Sequence, residues 1–134
     1  MPTVQASQPV LFAVIAVNEK NSCKIAGTLL DQDGVAVPLA SVSSLTLTLY
    51  DRATDGIINS RNAQDIKNAN GGTLHATSGA FTLTLSALDN PIVTTSTAAQ
   101  AIETHYALIQ ASWSGNGYWS GLAQINVRQV HRVP

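Results

Sequence analysis

The sequence predicts an all-β sandwich built as one domain, and three observations carry that expectation. Short segments alternate apolar and polar residues with the two-residue period of a strand. Gly, Asp, Asn and Ser interrupt them at close intervals, as turns between strands require. The chain is 134 residues long and 45% hydrophobic, enough for one core and of ordinary domain size.

The segments follow in order. Residues 1–8, "MPTVQASQ", show no period and read as an extended polar N-terminal arm; residues 9–134 form the domain. "PVLFAVIAV", 9–17, is too short to cross a bilayer as a helix. No Lys or Arg precedes Lys20, so a signal peptide is not expected either. A strand buried on both faces or docked on a neighbour fits the run better. "CKIAGTLLD" is the second strand, "DQDG" a turn, and "VAVPL" a short strand after it. "SLTLTLYD" sends Leu45, Leu47 and Leu49 to one face and Thr46, Thr48 and Tyr50 to the other. "DRATDGII" turns at Gly56 and leads into a short strand.

"GTLHAT" and "AFTLTLSA" continue the pattern until Pro91 breaks it. Residues 94–103 connect, with helical character at Ala98–Ile102. "THYALIQASW" and "YWSGLAQINVRQVHRV" then form a hairpin around "SGNG". Ala107, Ile109, Ala111 and Trp113 share one face of its first strand. Trp119, Ala123, Ile125 and Val127 meet them from the second.

The segment 58–72, "INSRNAQDIKNANGG", departs from this rhythm. Asn62 or Ser60 suits a helix N-cap, with Asp65 three residues after Asn62. Ala63, Ile66 and Ala69 recur on one side of a short helix, and Asn70-Gly71-Gly72 supplies a left-handed stop. A helix this short needs Ile66 pinned against the sandwich. A short crossover helix is therefore expected, with Arg61, Gln64 and Lys67 facing outward.

Charge narrows the function. Asp, Glu, Lys and Arg make up 11% of the chain and the net charge is −1, against about 25% charged residues in an average domain. Nucleic acid and anionic membrane both call for a basic patch, and the seven basic residues are scattered. Near-neutrality removes the repulsion that keeps copies apart and favours life within an assembly.

Chemistry-bearing motifs are sparse. Cys23 is alone, so it forms no intrachain disulfide and reads as a small hydrophobe. His75, His105 and His131 have no metal-ligand spacing. "DQDG" is followed by Val35, Val37 and Leu39 rather than the oxygen donors of a calcium loop. No serine sits in a nucleophile elbow, the carboxylates are scattered, and no lysine follows the glycine pairs as in a phosphate loop. No catalytic, metal or cofactor site is expected. Alternation sends Trp113 and Trp119 to the core; exposed at the hairpin tip, Tyr118 and Trp119 would instead form a protein contact or a sugar platform.

"LTLTLYDRATDGIINSRNAQDIKNANGGTLHATSGAFTLTLSALDN" and "HYALIQASWSGNGYWSGLAQINV" together resemble small immunoglobulin-like β-sandwich structural proteins of tailed bacteriophages. The resemblance covers about 45–127. It lies in the Leu-Tyr-Asp strand end, the "NAQDIKNANGGTL" segment, the Leu-Thr strand and the aromatic final hairpin. The Cys…Trp…Cys framework of antibody domains is missing.

The resemblance implies a non-enzymatic component of the virion. Capsid decoration or cementing of the shell is the leading expectation, with head–tail joining or a tail accessory role as alternatives. A host-surface glycan- or protein-binding module is the alternative of another class. Expected partners are other virion proteins and copies of the chain itself, with no nucleic acid, membrane or small-molecule substrate. The expected contact residues are Val10, Leu11 and Phe12 of the first strand, Arg61 and Lys67 of the crossover, and Tyr118 and Trp119 of the hairpin.

Overall fold

A computed structural model describes residues 9–93 and 101–130. The expected arm 1–8, His131 and most of the 94–103 connection lie outside the described residues. Among the described residues, eight strands run in chain order: β1 (Val10–Asn18), β2 (Cys23–Thr28), β3 (Val42–Asp51), β4 (Gln64–Asp65), β5 (Gly72–Leu74), β6 (Ala80–Leu85), β7 (Ile102–Trp113) and β8 (Gly117–Arg128). They form two sheets, a five-stranded one ordered β1-β8-β7-β3-β4 and a three-stranded one ordered β2-β6-β5. The fold is all-β, as the periodicity predicts.

Alternation decides which side chains meet between the sheets. Leu45, Leu47 and Leu49 of β3 are fully buried, as are Ala107 and Ile109 of β7 and Ala123, Ile125 and Val127 of β8. Ile25, Phe81, Leu83 and Leu85 enter from the smaller sheet. Each large side chain buried this way contributes roughly 1.5–3 kcal/mol over its exposed state. β7 and β8 pair antiparallel from Ile102↔Arg128 to Trp113↔Gly117, so the hairpin expected at "SGNG" forms there. The turn at "DQDG" also forms. The Gly34 N–H donates to the Asp31 carbonyl, and Asp31 Oδ1 accepts the N–H groups of Asp33 and Val35.

β1 pairs parallel with β8, which places the first strand at the open edge of the larger sheet. Its register shifts between Leu11 and Ala13. This bulge lets Phe12 and Ala13 both turn toward the core. Phe12 packs against Trp119 with ring centroids 5.4 Å apart and against Phe81 at 6.0 Å. The cluster fits because Gly121 lies beneath it: a Cβ there would overlap the Trp119 ring and crowd Phe12.

Four expectations are corrected. No crossover helix forms in 58–72. Asn59, Ser60, Ala63, Asn68, Asn70 and Gly71 all have positive φ, so the chain reverses every few residues and cannot hold a right-handed helix. The open edge of β3 offers a better partner than a lone helical turn: Gln64–Asp65 pairs with it, and the Ile66 N–H donates to the Leu45 carbonyl. Ile66 is fully buried, so the anchor is where the sequence placed it while the local conformation differs. "VAVPL" forms only the bridge Leu30↔Ala36, and the strand expected after Gly56 only the bridge Tyr50↔Ile57. Ile102, expected in a helical turn, begins β7.

Candidate functional site

The outer face of the five-stranded sheet is the largest surface the fold makes regular. Its outward side chains are Leu11, Val14 and Ala16 on β1, and Tyr118 through Asn126 in alternation on β8. Thr104 through Ser112 continue them on β7, and Ser44, Thr46, Thr48 and Tyr50 on β3. Among the described residues, charge stands at the margins of this face, at Arg128, the last residue of β8, and at Asp65 of β4, opposite Thr46; none of the positions between them holds Asp, Glu, Lys or Arg. Tyr50 and Tyr106 stand edge to face at 5.7 Å in its middle, beside the cross-strand pair Leu108↔Leu122. The polar side chains bond one another. Ser44 Oγ meets Ser112 Oγ at 2.6 Å, Gln110 Nε2 donates to Tyr118 Oη at 2.6 Å, and Thr104 Oγ1 donates to Asn126 Oδ1 at 3.1 Å. Charge depletion with tyrosine at the centre is the composition of a protein contact surface.

The edge strand extends this face. Val10, Leu11 and Val14 are 58, 52 and 59% exposed, and β1 carries no charge along its length. Edge strands of free domains are ordinarily guarded by Lys, Pro or a covering element.

The expected contact residues divide. Val10 and Leu11 are exposed, and so is Tyr118 at 53%. Phe12 and Trp119 are half-buried in the aromatic cluster, facing inward. Arg61 does not face outward as expected: its guanidinium is buried. It grips Asp89 with Nε to Oδ1 at 2.6 Å and Nη2 to Oδ2 at 3.0 Å. Nη1 also donates to Gln64 Oε1 and the Asn70 carbonyl. Lys67 is half-buried, and its Nζ donates to the Val42 carbonyl at 2.6 Å. These two cations tie the asparagine-rich segment down instead of presenting it.

Asp89 is the hub of that segment. Its carboxylate also accepts from Asn59 Nδ2 at 2.8 Å and from the Ser86 N–H at 2.7 Å. Burial pushes the Asp89 pKa up, but the hydrogen bonds from Arg61, Asn59 and Ser86 and the Arg61 charge outweigh it. The net result lies below the ordinary carboxylate value. Nearby, Cys23 is half-buried against the core. Burial pushes its thiol pKa up, and the hydrogen bond from Asn90 Nδ2 does not reverse this. The thiol stays protonated and inert, as a small hydrophobe should.

A second polar group lies at the end of the core where β3 finishes and β7 begins. Asp51 stands directly opposite His105 across the strand pair, and Glu103 precedes His105 by two residues on the same face. His105 Nε2 lies 2.6 Å from Glu103 Oε1 and 4.0 Å from Asp51 Oδ1. One donor atom from each of the three residues falls within 4.8 Å of the others. The His105 and Asp51 side chains are 0 and 1% exposed. Asp51 Oδ2 accepts from the Thr54 N–H and Oγ1, while Asp51 Oδ1 and His105 Nδ1 are buried without a hydrogen-bond partner. A cavity of about 570 Å³ opens beside them, lined also by Arg52, Ile92 and Gln129.

Spacing along the chain leaves His105 isolated and does not reveal this group. The signal was present in the strand period. Asp51 continues the inward face of Leu45, Leu47 and Leu49, and Glu-Thr-His at 103–105 puts two polar side chains on the inward face of the next strand. A spacing search along the chain does not see residues brought together across a ladder.

No family model matches the chain, and no curated protein matches it significantly in sequence.

Proposed function

We propose that this chain is a non-enzymatic structural subunit of a tailed-phage virion, with an immunoglobulin-like sandwich that docks on the shell through its larger sheet. The observation that carries the reading is the outer face of β1, β8, β7 and β3, uncharged up to Arg128 at the end of β8 and centred on Tyr50 and Tyr106. The buried core of an interface is depleted of charge and enriched in tyrosine, and this face has that composition over four strands.

The strand order supports the immunoglobulin-like part. The β8-β7-β3-β4 run over β2-β6-β5 corresponds to the G-F-C-C′ and B-E-D sheets of a variable-type domain, with the first strand carried to the G edge. That switch leaves β1 as an apolar strand on an open edge, available to a neighbour's sheet. Low charge and the sequence resemblance support a place in the virion, decorating the capsid. Mass spectrometry of purified particles is the direct test. The expected result is this chain in stoichiometric amounts on intact virions; particles that lack it overturn the reading.

A further inference from the structure

We propose that Asp51, Glu103 and His105 form a binding site for one divalent transition-metal ion of the zinc type, closing the end of the sandwich between β3 and β7. The donor set is one imidazole and two carboxylates, which between them balance a double positive charge. An imidazole with carboxylates suits zinc and its neighbours, whereas calcium and magnesium take oxygen donors throughout. Three protein ligands leave a fourth position for water, and the cavity beside the group is lined by two of the three, Asp51 and Glu103.

The unsatisfied oxygen is the second, independent observation. Asp51 Oδ1 is buried, accepts no hydrogen bond, and points into the group at 4.0 Å from His105 Nε2. A buried carboxylate oxygen without a partner is costly, and a cation supplies what it lacks. Its sister Oδ2 is held by Thr54, so the carboxylate is fixed with Oδ1 toward the histidine.

Two of the three edges need little adjustment, and the third, between the Asp51 and Glu103 oxygens, lies within 4.8 Å. Zinc-ligand bonds of about 2.0–2.2 Å put tetrahedral ligand atoms roughly 3.3–3.5 Å apart. The His105–Glu103 separation of 2.6 Å widens and the His105–Asp51 separation of 4.0 Å narrows, each by less than about an ångström. His105 gives up its hydrogen bond to Glu103 and offers the Nε2 lone pair. Glu103 Oε1 retains the Val93 N–H, which orients it at 2.8 Å. Arg52, the cationic side chain among the described residues lining the cavity, is exposed to solvent.

The test is a Zn²⁺ titration of the metal-stripped full chain by calorimetry, with thermal melts alongside. One Zn²⁺ per chain and a higher Tm that EDTA reverses are expected, with no matching effect of Mg²⁺. Asp51→Asn should weaken binding by at least about tenfold, the scale on which altered metal sites lose affinity. His75→Ala, at an exposed histidine elsewhere, should leave binding unchanged. Substitution of buried Asp51 or His105 can unfold the chain, so the wild-type protein is also loaded with Co²⁺. A visible d–d band of a four- or five-coordinate ion is expected. No binding to the wild type, a six-coordinate Co²⁺ spectrum, or wild-type affinity in folded Asp51→Asn would overturn the site.

Discussion

Arg61 and Asp89 form a two-pronged ion pair, 2.6 and 3.0 Å long, between the asparagine-rich segment and the 3₁₀ turn Ala87–Asp89 that follows β6. Both side chains are nearly or fully buried, with exposures of 10 and 0%. The pair joins β4, which extends the larger sheet, to the end of β6 in the smaller one. It is a clamp across the two layers, built from residues 28 positions apart.

Breaking one side of this clamp leaves a buried charge uncompensated. Asp89→Asn is expected to destabilise the fold by about 3–5 kcal/mol. Replacing both partners with apolar residues of similar volume should cost much less, because no stranded charge remains. Urea unfolding of the single and double variants measures both. A single variant within about 0.5 kcal/mol of wild type, the range of ordinary surface changes, contradicts the clamp.

The same carboxylate sets an acid limit. Its folded pKa lies below the ordinary value, so the clamp contributes fully above the unfolded value of about 4. The contribution is lost as pH falls through the depressed folded value. Stability measured from pH 6 downward should therefore drop below about pH 4. Asp89→Asn should remove most of that slope. Equal slopes in the two proteins would assign the acid sensitivity to other carboxylates.

Ala63 separates the observed chain path from a helix by the sign of one substitution. Its φ is +49°, a left-handed conformation that costs a non-glycine residue roughly 1–2 kcal/mol. Glycine relieves that strain but adds unfolded-state entropy, so Ala63→Gly is expected to stabilise by up to about 1 kcal/mol. In a helix the same change would destabilise by about that amount. The midpoint of denaturant unfolding reads the sign directly.

Charge placed on the larger sheet's outer face should disturb docking and leave folding intact. Val14→Lys guards the edge strand, and Thr48→Lys charges the face three strands further in. Val14→Lys is expected to change stability by no more than about 0.5 kcal/mol, and Thr48→Lys, which also removes the acceptor of the Ala63 N–H, by about 1 kcal/mol. The pair together should abolish cosedimentation with particles that lack this protein. Undiminished binding by the doubly charged variant would remove the face from the proposal.

The sequence by itself determined the long strands and the direction of their side chains. The period of two in "SLTLTLYD", "AFTLTLSA" and the final hairpin sends Leu45, Phe81, Ile109 and Ile125 inward whatever their partners are, because pleating fixes the alternation locally. It also determined the low charge that leaves the outer face neutral. Tertiary structure decided what local preference could not. The cap-like spacing in 58–72 is a weak preference, and pairing with β3 overrode it once that edge was present. Arg61 looked solvated among polar neighbours, yet Asp89 and the Asn70 carbonyl gave its buried charge enough partners. Asp51 and His105 are 54 residues apart and meet only because β3 and β7 lie side by side. Contacts of that kind are set by the register of the whole ladder, which no short window of sequence contains.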